Sequence, residues 1–227
     1  ASDVYKRQLY YNPHVKIDKI VYVIKNPSET WNGLTGNIKE FFRILGLLDK
    51  LVFIKETTGF EKIIIPDLSW GYLTHYSEEF NVVFDKLTST IANSNHTNRQ
   101  YPKKIYFTRS HLEKAQLAEI GMDMLDSFFL TNGYEVFAPE KLSLTEMVLL
   151  IQNADILAGA SGSTVHNIIF GKRHQKLIII DRDCMANGFQ PGLNLVKQID
   201  CTYIDGSLAI NPVSYTHLRA HETGAYL

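Results

Sequence analysis

Cysteine is scarce in this chain of 227 residues: only Cys184 and Cys201 occur, and they form no CxxC pair. The sequence therefore predicts neither a zinc site built on cysteine pairs nor a disulfide scaffold, and it fits a reducing compartment. Long apolar runs, internal repeats and low-complexity tracts are also missing, so no membrane-spanning segment is predicted. With 45% hydrophobic and 21% charged residues, the composition is that of a globular chain with one domain or two small ones.

A charge excess of either sign is absent too, because 23 basic residues face 24 acidic ones for a formal net charge of −1. This balance argues against a broad nucleic-acid or membrane-surface footprint, so no nucleic-acid partner is expected, but it allows a local phosphate pocket. The Gly-x-Gly-x-x-Gly fingerprint of dinucleotide-binding oxidoreductases does not occur, and the Gly-x-Ser-x-Gly pattern of hydrolases is broken at Ser163. Both enzyme classes are therefore disfavoured.

What the sequence does contain is an alternation of short apolar runs, which predict strands, with amphipathic stretches, which predict helices. After the polar segment 92–102, strands and helices alternate, and this order predicts an α/β fold with a doubly wound parallel sheet. Ser143 and Glu146 have the spacing of a capping box at a helix start. The predicted strands are 19–24, 50–54, 62–65, 103–107, 134–137, 155–158, 176–180 and 202–204, and the predicted helices lie around 38–45, 117–129 and 144–151.

A turn of small residues follows the apolar run at 155–158. Its hydroxyls and backbone amides lie where the next predicted helix begins, and they belong to Ser161, Gly162, Ser163 and Thr164. Amide donors and the dipole at a helix N-terminus favour an anion such as phosphate. An ordinary strand-to-helix turn in which Ser163 caps the helix is the alternative.

A second polar strand end, with Thr108, Arg109 and Ser110, follows the apolar run at 103–107. Ligands of parallel α/β sheets bind at the carboxyl ends of the strands, so we expect Arg109 and the turn at 161–164 to face one crevice. An arginine fork combined with helix amides suits a diphosphate. A surface salt bridge is the alternative role for Arg109.

Four blocks, at 60–67, 105–110, 132–144 and 154–170, resemble glycosyltransferase family 61 in type and order, and in particular its bacterial capsular-polysaccharide branch. The resemblance covers about residues 15–205 and implies a GT-B-like fold of two Rossmann-like units, the N-terminal one incomplete. It implies hexosyl or pentosyl transfer from a nucleotide diphosphate sugar to an acceptor hydroxyl, with inversion favoured over retention and without a metal or other cofactor. The implied setting is capsular or other surface polysaccharide synthesis on a glycan or glycolipid acceptor, in the cytoplasm or at the inner face of the membrane.

The resemblance also implies roles for residues of the donor site. Arg109 and Ser110, together with the turn at 161–164, would meet the diphosphate, and His166 would bond a phosphate or a sugar hydroxyl. Phe137 would pack beside the nucleobase and Glu140 would bind the ribose. The alternatives are a structural histidine bonded to backbone, a solvated turn at Glu140 and, for Asn167, a choice between holding the sugar and holding the neighbouring loop. Ser161 stands where one version of the family block has histidine, which would imply a different phosphate geometry, although a Ser/Thr-Gly version of the block also occurs in the bacterial branch.

The catalytic base stays unassigned. The family's Gly-His-aromatic segment is expected upstream of residue 9, and His75 and Asp67 are weaker candidates that ordinary loops would also explain. A chain without that segment could bind the donor and transfer nothing, so a non-catalytic nucleotide- or phosphosugar-binding module is the rival interpretation.

Both ends of the chain resemble translated sequencing-adapter sequence of the kind found in assembled metagenomic fragments, and residues 1–8 and 212–227 are expected to be non-native. Residues 9–98 are then predicted to form a partial acceptor-side domain, and residues 99–211 a Rossmann-like domain that binds the nucleotide sugar. The natural segment is expected to be part of a longer protein.

Overall fold

The structure is a computed structural model that describes residues 18–23, 34–65, 70–71, 75–94, 99–112, 121–182 and 188–206. The chain divides between residues 96 and 97 into two compact units. Helices alternate with parallel strands, which confirms the predicted α/β class. The assignment of acceptor and donor domains, and the non-native character of the two ends, stay predictions.

The first unit contains a β-α-β element. Strands β1 (Ile20–Val23) and β2 (Leu51–Ile54) pair in parallel, and helix α1 (Gly36–Ile44) lies between them in the chain. A 3₁₀ turn at Leu48–Lys50 leads into β2. The two-residue strands β3 (Trp70–Gly71) and β4 (His75–Tyr76) pair antiparallel, and helix α2 (Glu79–Ser94) follows.

Aromatic side chains build the core of this unit. The buried rings of Phe41 and Phe42 lie on α1, 5.7 Å apart and nearly perpendicular. Phe42 meets Tyr22 of β1 edge to face at 6.0 Å, and Phe41 lies 6.2 Å from Phe84 of α2. These contacts follow from the amphipathic pattern, since the apolar stripe of α1 must be covered by another element.

The strand predicted at 62–65 is wrong. These residues are described as irregular, and Ile63, Ile64 and Ile65 are exposed, Ile65 by 83%. The β-branched run has high strand propensity, but a strand also needs a neighbour that takes its backbone hydrogen bonds and covers one face. Among the described residues, no strand pairs with this segment.

The second unit is built on a five-stranded parallel sheet in the order β6-β5-β7-β8-β9. Its strands confirm the five predictions made for this part of the chain. The strands are β5 (Lys104–Phe107), β6 (Glu135–Phe137), β7 (Ile156–Ala160), β8 (Lys176–Asp181) and β9 (Asp200–Asp205), and the helices are α3 (Met122–Thr131), α4 (Leu144–Asn153) and α5 (Phe189–Lys197), with a 3₁₀ turn at Pro139–Lys141.

The strand order places a topological switch point between β5 and β7. The chain runs from β5 to β6 on one side and then returns to β7 on the other. Phe107 is in register with Phe137 of β6 and Gly159 of β7, so the carboxyl ends of these strands share one edge. Crevices at such switch points are where open α/β sheets bind ligands.

Packing and capping hold this sheet in place. Tyr106 is fully buried and stacks on Phe129 of α3, with ring centroids 4.1 Å apart. The predicted capping box is confirmed: the Glu146 amide donates to Ser143 Oγ at 3.2 Å, and the Ser143 amide donates to the Glu146 carboxylate at 3.0 Å. The bonds from Ser143 lower the pKa of Glu146, because they favour its charged form.

The segment after the turn at 161–164 is helical as predicted, but it is a short 3₁₀ helix, Val165–Phe170. Val165, Ile168 and Phe170 are buried, and Gln152 Nε2 donates to the Phe170 carbonyl, so the segment is held tightly against the sheet and α4. Thr164 occupies the N-cap position without a side-chain capping bond, so the alternative in which Ser163 caps a helix is not realised. A helix dipole therefore contributes less than expected, because 3₁₀ segments are short and their hydrogen bonds are poorly aligned.

Candidate anion-binding site

The turn at 161–164 is anchored at its first residue. The Ser161 amide donates to the Ile180 carbonyl of β8 at 2.8 Å, so it extends the pairing of β7 with β8 and is not available to a ligand. Gly162 follows with φ of +133°, a conformation that strongly favours glycine. Among the described residues, no backbone carbonyl accepts the amides of Gly162 and Ser163. The turn therefore offers two backbone donors at the carboxyl edge of the sheet.

Arg109 is held at the end of β5 by a hydroxyl-mediated turn. The buried Thr108 accepts the Ser110 amide at its Oγ1 and donates to Ser110 Oγ, both at 3.0 Å. The Leu112 amide closes the turn by donating to the Arg109 carbonyl at 3.0 Å. Arg109 Nη1 lies 3.6 Å from the position that a Cβ atom would take at Gly162. The structure thus brings Arg109 to the turn at 161–164, as the strand-end argument predicts.

Sequence reasoning missed Arg182, which follows β8. Its Nε donates to the Ser161 carbonyl at 2.7 Å, and its Nη2 lies 3.2 Å from the Cβ position of Gly162. The strand-end rule that singled out Arg109 applies equally to Arg182, since both arginines follow an apolar strand. The rule could therefore have found it.

Two guanidinium groups thus lie within 4 Å of one point beside Gly162. Each guanidinium is a planar cation with a fork of N–H donors, a geometry that suits phosphate and carboxylate groups. An anion that reaches both groups accepts a charge-assisted hydrogen bond from each of them. The arrangement is suited to phosphate oxygens.

Other predicted site residues lie around this turn. His166 is half-buried in the 3₁₀ helix, with its ring 6.1 Å from that of Phe189 at the start of α5. Asn167 Nδ2 donates to the Thr164 carbonyl at 2.9 Å, which supports its loop-holding role. Ser163 is exposed and Thr164 is buried.

Phe137 and Glu140, the predicted nucleoside-binding residues, follow β6. Phe137 is half-buried at the same sheet edge as Phe107, and its carbonyl accepts the Thr108 amide at 2.9 Å. Glu140 is exposed in the 3₁₀ turn Pro139–Lys141. Phe137 is thus tied directly to the turn that holds Arg109, and Glu140 lies three residues further on. Their binding roles stay predictions.

Both candidate bases belong to the N-terminal part of the chain. His75 lies in β4 of the first unit, and Asp67 lies outside the described residues.

In the part of the chain that the structure describes, no three His, Cys, Asp or Glu side chains are grouped so that they could hold a metal ion. No helix in the described ranges has the length and apolar character needed to cross a bilayer.

Fold and site together define an α/β protein with two arginines and a small-residue turn at the switch point of a parallel sheet. The family model described as Glycosyltransferase 61 matches residues 8–178, which is most of the chain. The chain therefore belongs to the glycosyltransferase 61 family, and the family-level resemblance is confirmed. No curated protein sequence matches it.

Proposed function

We propose that the second unit is the donor-binding half of a GT-B-type glycosyltransferase that uses a nucleotide diphosphate sugar. Family membership supports sugar transfer. The observation that carries the donor type is the position of Arg109, whose guanidinium lies beside Gly162 at the switch point between β5 and β7. A cation and two turn amides at this edge match the diphosphate of such a donor.

Sugar transfer needs the positive charge of Arg109 when the bond to the leaving diphosphate breaks. The acceptor oxygen attacks the anomeric carbon, the bond from that carbon to the diphosphate breaks, and its electron pair goes to the leaving phosphate oxygen. The acceptor proton passes to a base, for which His75 and Asp67 remain candidates. Arg109 and the amides of Gly162 and Ser163 stabilise the charge that develops on the leaving group, which is usually a large term in catalysis. Because these groups supply positive charge, the proposal includes no metal or other cofactor.

The remaining assignments extend outward from the diphosphate. Phe137 packs beside the nucleobase, Glu140 binds the ribose, and His166 bonds a phosphate or sugar hydroxyl. The acceptor is a glycan or glycolipid, and the proposed setting is capsular or other surface polysaccharide synthesis at the cytoplasmic face of the membrane. The position of Phe137 at the same edge as Arg109 supports this arrangement.

A binding screen of the whole chain tests the proposal. Thermal shift and calorimetry with UDP, GDP, CDP and several of their sugars, with and without EDTA, should find one diphosphate nucleotide that stabilises the fold independently of EDTA. Arg109→Gln should weaken that nucleotide by about 10-fold or more and the bare nucleoside far less, since a charged hydrogen bond is worth about 1.5–3 kcal/mol. Binding of no nucleotide, or equal losses for nucleotide and nucleoside, would overturn the diphosphate site. Binding with no turnover on any acceptor would favour the non-catalytic module.

A further inference from the structure

We infer that Arg182 is a second phosphate-binding residue, and that with Arg109 it makes the site selective for ligands with two adjacent phosphates over ligands with one. The inference rests on the proposed function, because it concerns the same site. It starts from the two guanidinium groups that share the space beside Gly162.

Arg182 is oriented by the turn itself. Its Nε donates to the Ser161 carbonyl at 2.7 Å, and its backbone amide approaches Ser161 Oγ at 3.4 Å. Ser161 is in turn fixed to β8 through Ile180. A side chain held at its Nε has fewer rotamers to lose on binding, so its terminal nitrogens are preorganised for a ligand.

The charge count decides the selectivity. The oxygens of a single phosphate group placed between Arg109 and Arg182 must accept hydrogen bonds from both guanidinium groups. A diphosphate presents separate oxygens to each guanidinium, so each arginine makes its own charge-assisted contact. Removing Arg182 should therefore weaken diphosphates much more than monophosphates.

The family comparison does not assign this residue. The match to the Glycosyltransferase 61 model ends at residue 178, within β8, and Arg182 lies beyond it. The role of Arg182 follows from its position against Ser161 and Gly162 alone.

The test is calorimetry of the full chain with UDP, GDP and CDP, each beside its monophosphate, and with inorganic pyrophosphate beside orthophosphate. The variants are Arg182→Gln and Arg182→Lys, and the matched control is Arg173→Gln. Arg173 is exposed in the turn before β8, at the opposite edge of the sheet. Thermal melts establish that each variant is folded before binding is compared.

We expect Arg182→Gln to weaken the diphosphate by about 10-fold or more and its monophosphate by about 3-fold or less, which collapses the selectivity. Arg182→Lys keeps the positive charge but lacks the paired donors of the guanidinium, so it should also weaken the diphosphate more than the monophosphate, by a smaller factor. This variant provides the test if Arg182→Gln does not fold. Arg173→Gln should match wild type. An unchanged selectivity ratio would overturn the inference and leave Arg182 as a tie between β8 and Ser161.

The two proposals fail differently. If wild type binds neither a nucleotide nor pyrophosphate, the donor-site proposal and this inference both fall. If wild type binds a diphosphate nucleotide, Arg109→Gln weakens it and the Arg182 variants do not, only the inference falls.

Discussion

Replacing Gly162 with alanine should lower both the stability of the fold and the affinity of the site. At φ of +133° a side chain is strained whatever space surrounds it, and such conformations cost about 1–3 kcal/mol. The new Cβ would also stand 3.2 Å from Arg182 Nη2 and 3.6 Å from Arg109 Nη1. The first distance is tighter than most real Cβ contacts, so the Arg182 guanidinium must move by a few tenths of an ångström.

The displaced group is the one that we assign to phosphate, so affinity should fall with stability. Loss of one well-formed charged hydrogen bond corresponds to about 1.5–3 kcal/mol, or about 10-fold or more in affinity. Urea unfolding measures the first effect, and calorimetry with the nucleotide found in the screen measures the second.

Gly133→Ala is the matched control. Gly133 also has a positive φ, +78°, but nothing lies within 4 Å of its Cβ position and it precedes β6 at the opposite sheet edge. It should lose about 1–2 kcal/mol of stability and no affinity. If Gly162→Ala binds the nucleotide as tightly as Gly133→Ala does, the arginines do not contact the ligand beside Gly162, and the assignment of this site is refuted.

Two further predictions concern the fold. Gln175→Ala should lower the free energy of unfolding in urea by about 3 kcal/mol. The buried Gln175 Nε2 donates to the carbonyls of Ile151 and Ala154, and removing the side chain leaves both buried acceptors unsatisfied. A decrease of less than about 1 kcal/mol would contradict this prediction. The Ser143 bonds lower the pKa of Glu146 below its usual 4.5, so its stabilisation is present above about pH 4.5 and is lost as pH falls through the folded pKa. Glu146→Gln should therefore be less stable than wild type at pH 7, and the difference in unfolding free energy should shrink as the pH falls below 4.5. A difference that does not change with pH would contradict this prediction.

Much of the second unit could be read from local patterns. The apolar run ending at Phe107 predicted β5, because a strand buried on both faces needs such a run. The capping box of Ser143 and Glu146 is a contact within a single turn, so its spacing was sufficient. The isoleucines at 63–65 show the limit of such patterns: their strand propensity is high, but no described strand pairs with them.

The features of the candidate site also fall into those that the sequence shows and those that depend on the tertiary structure. The sequence by itself determined that Arg109 and a small-residue turn each follow a strand, since strand ends and turn residues are local features. Only the tertiary structure decided that Arg182 joins Arg109 at Gly162, because this depends on β8 lying next to β7 and on Ser161 extending their pairing. It also decided that Val165–Phe170 is a 3₁₀ helix, since buried contacts to neighbouring elements hold that segment. Local chemistry can be read along the chain, whereas the meeting of distant charges depends on strand order and register.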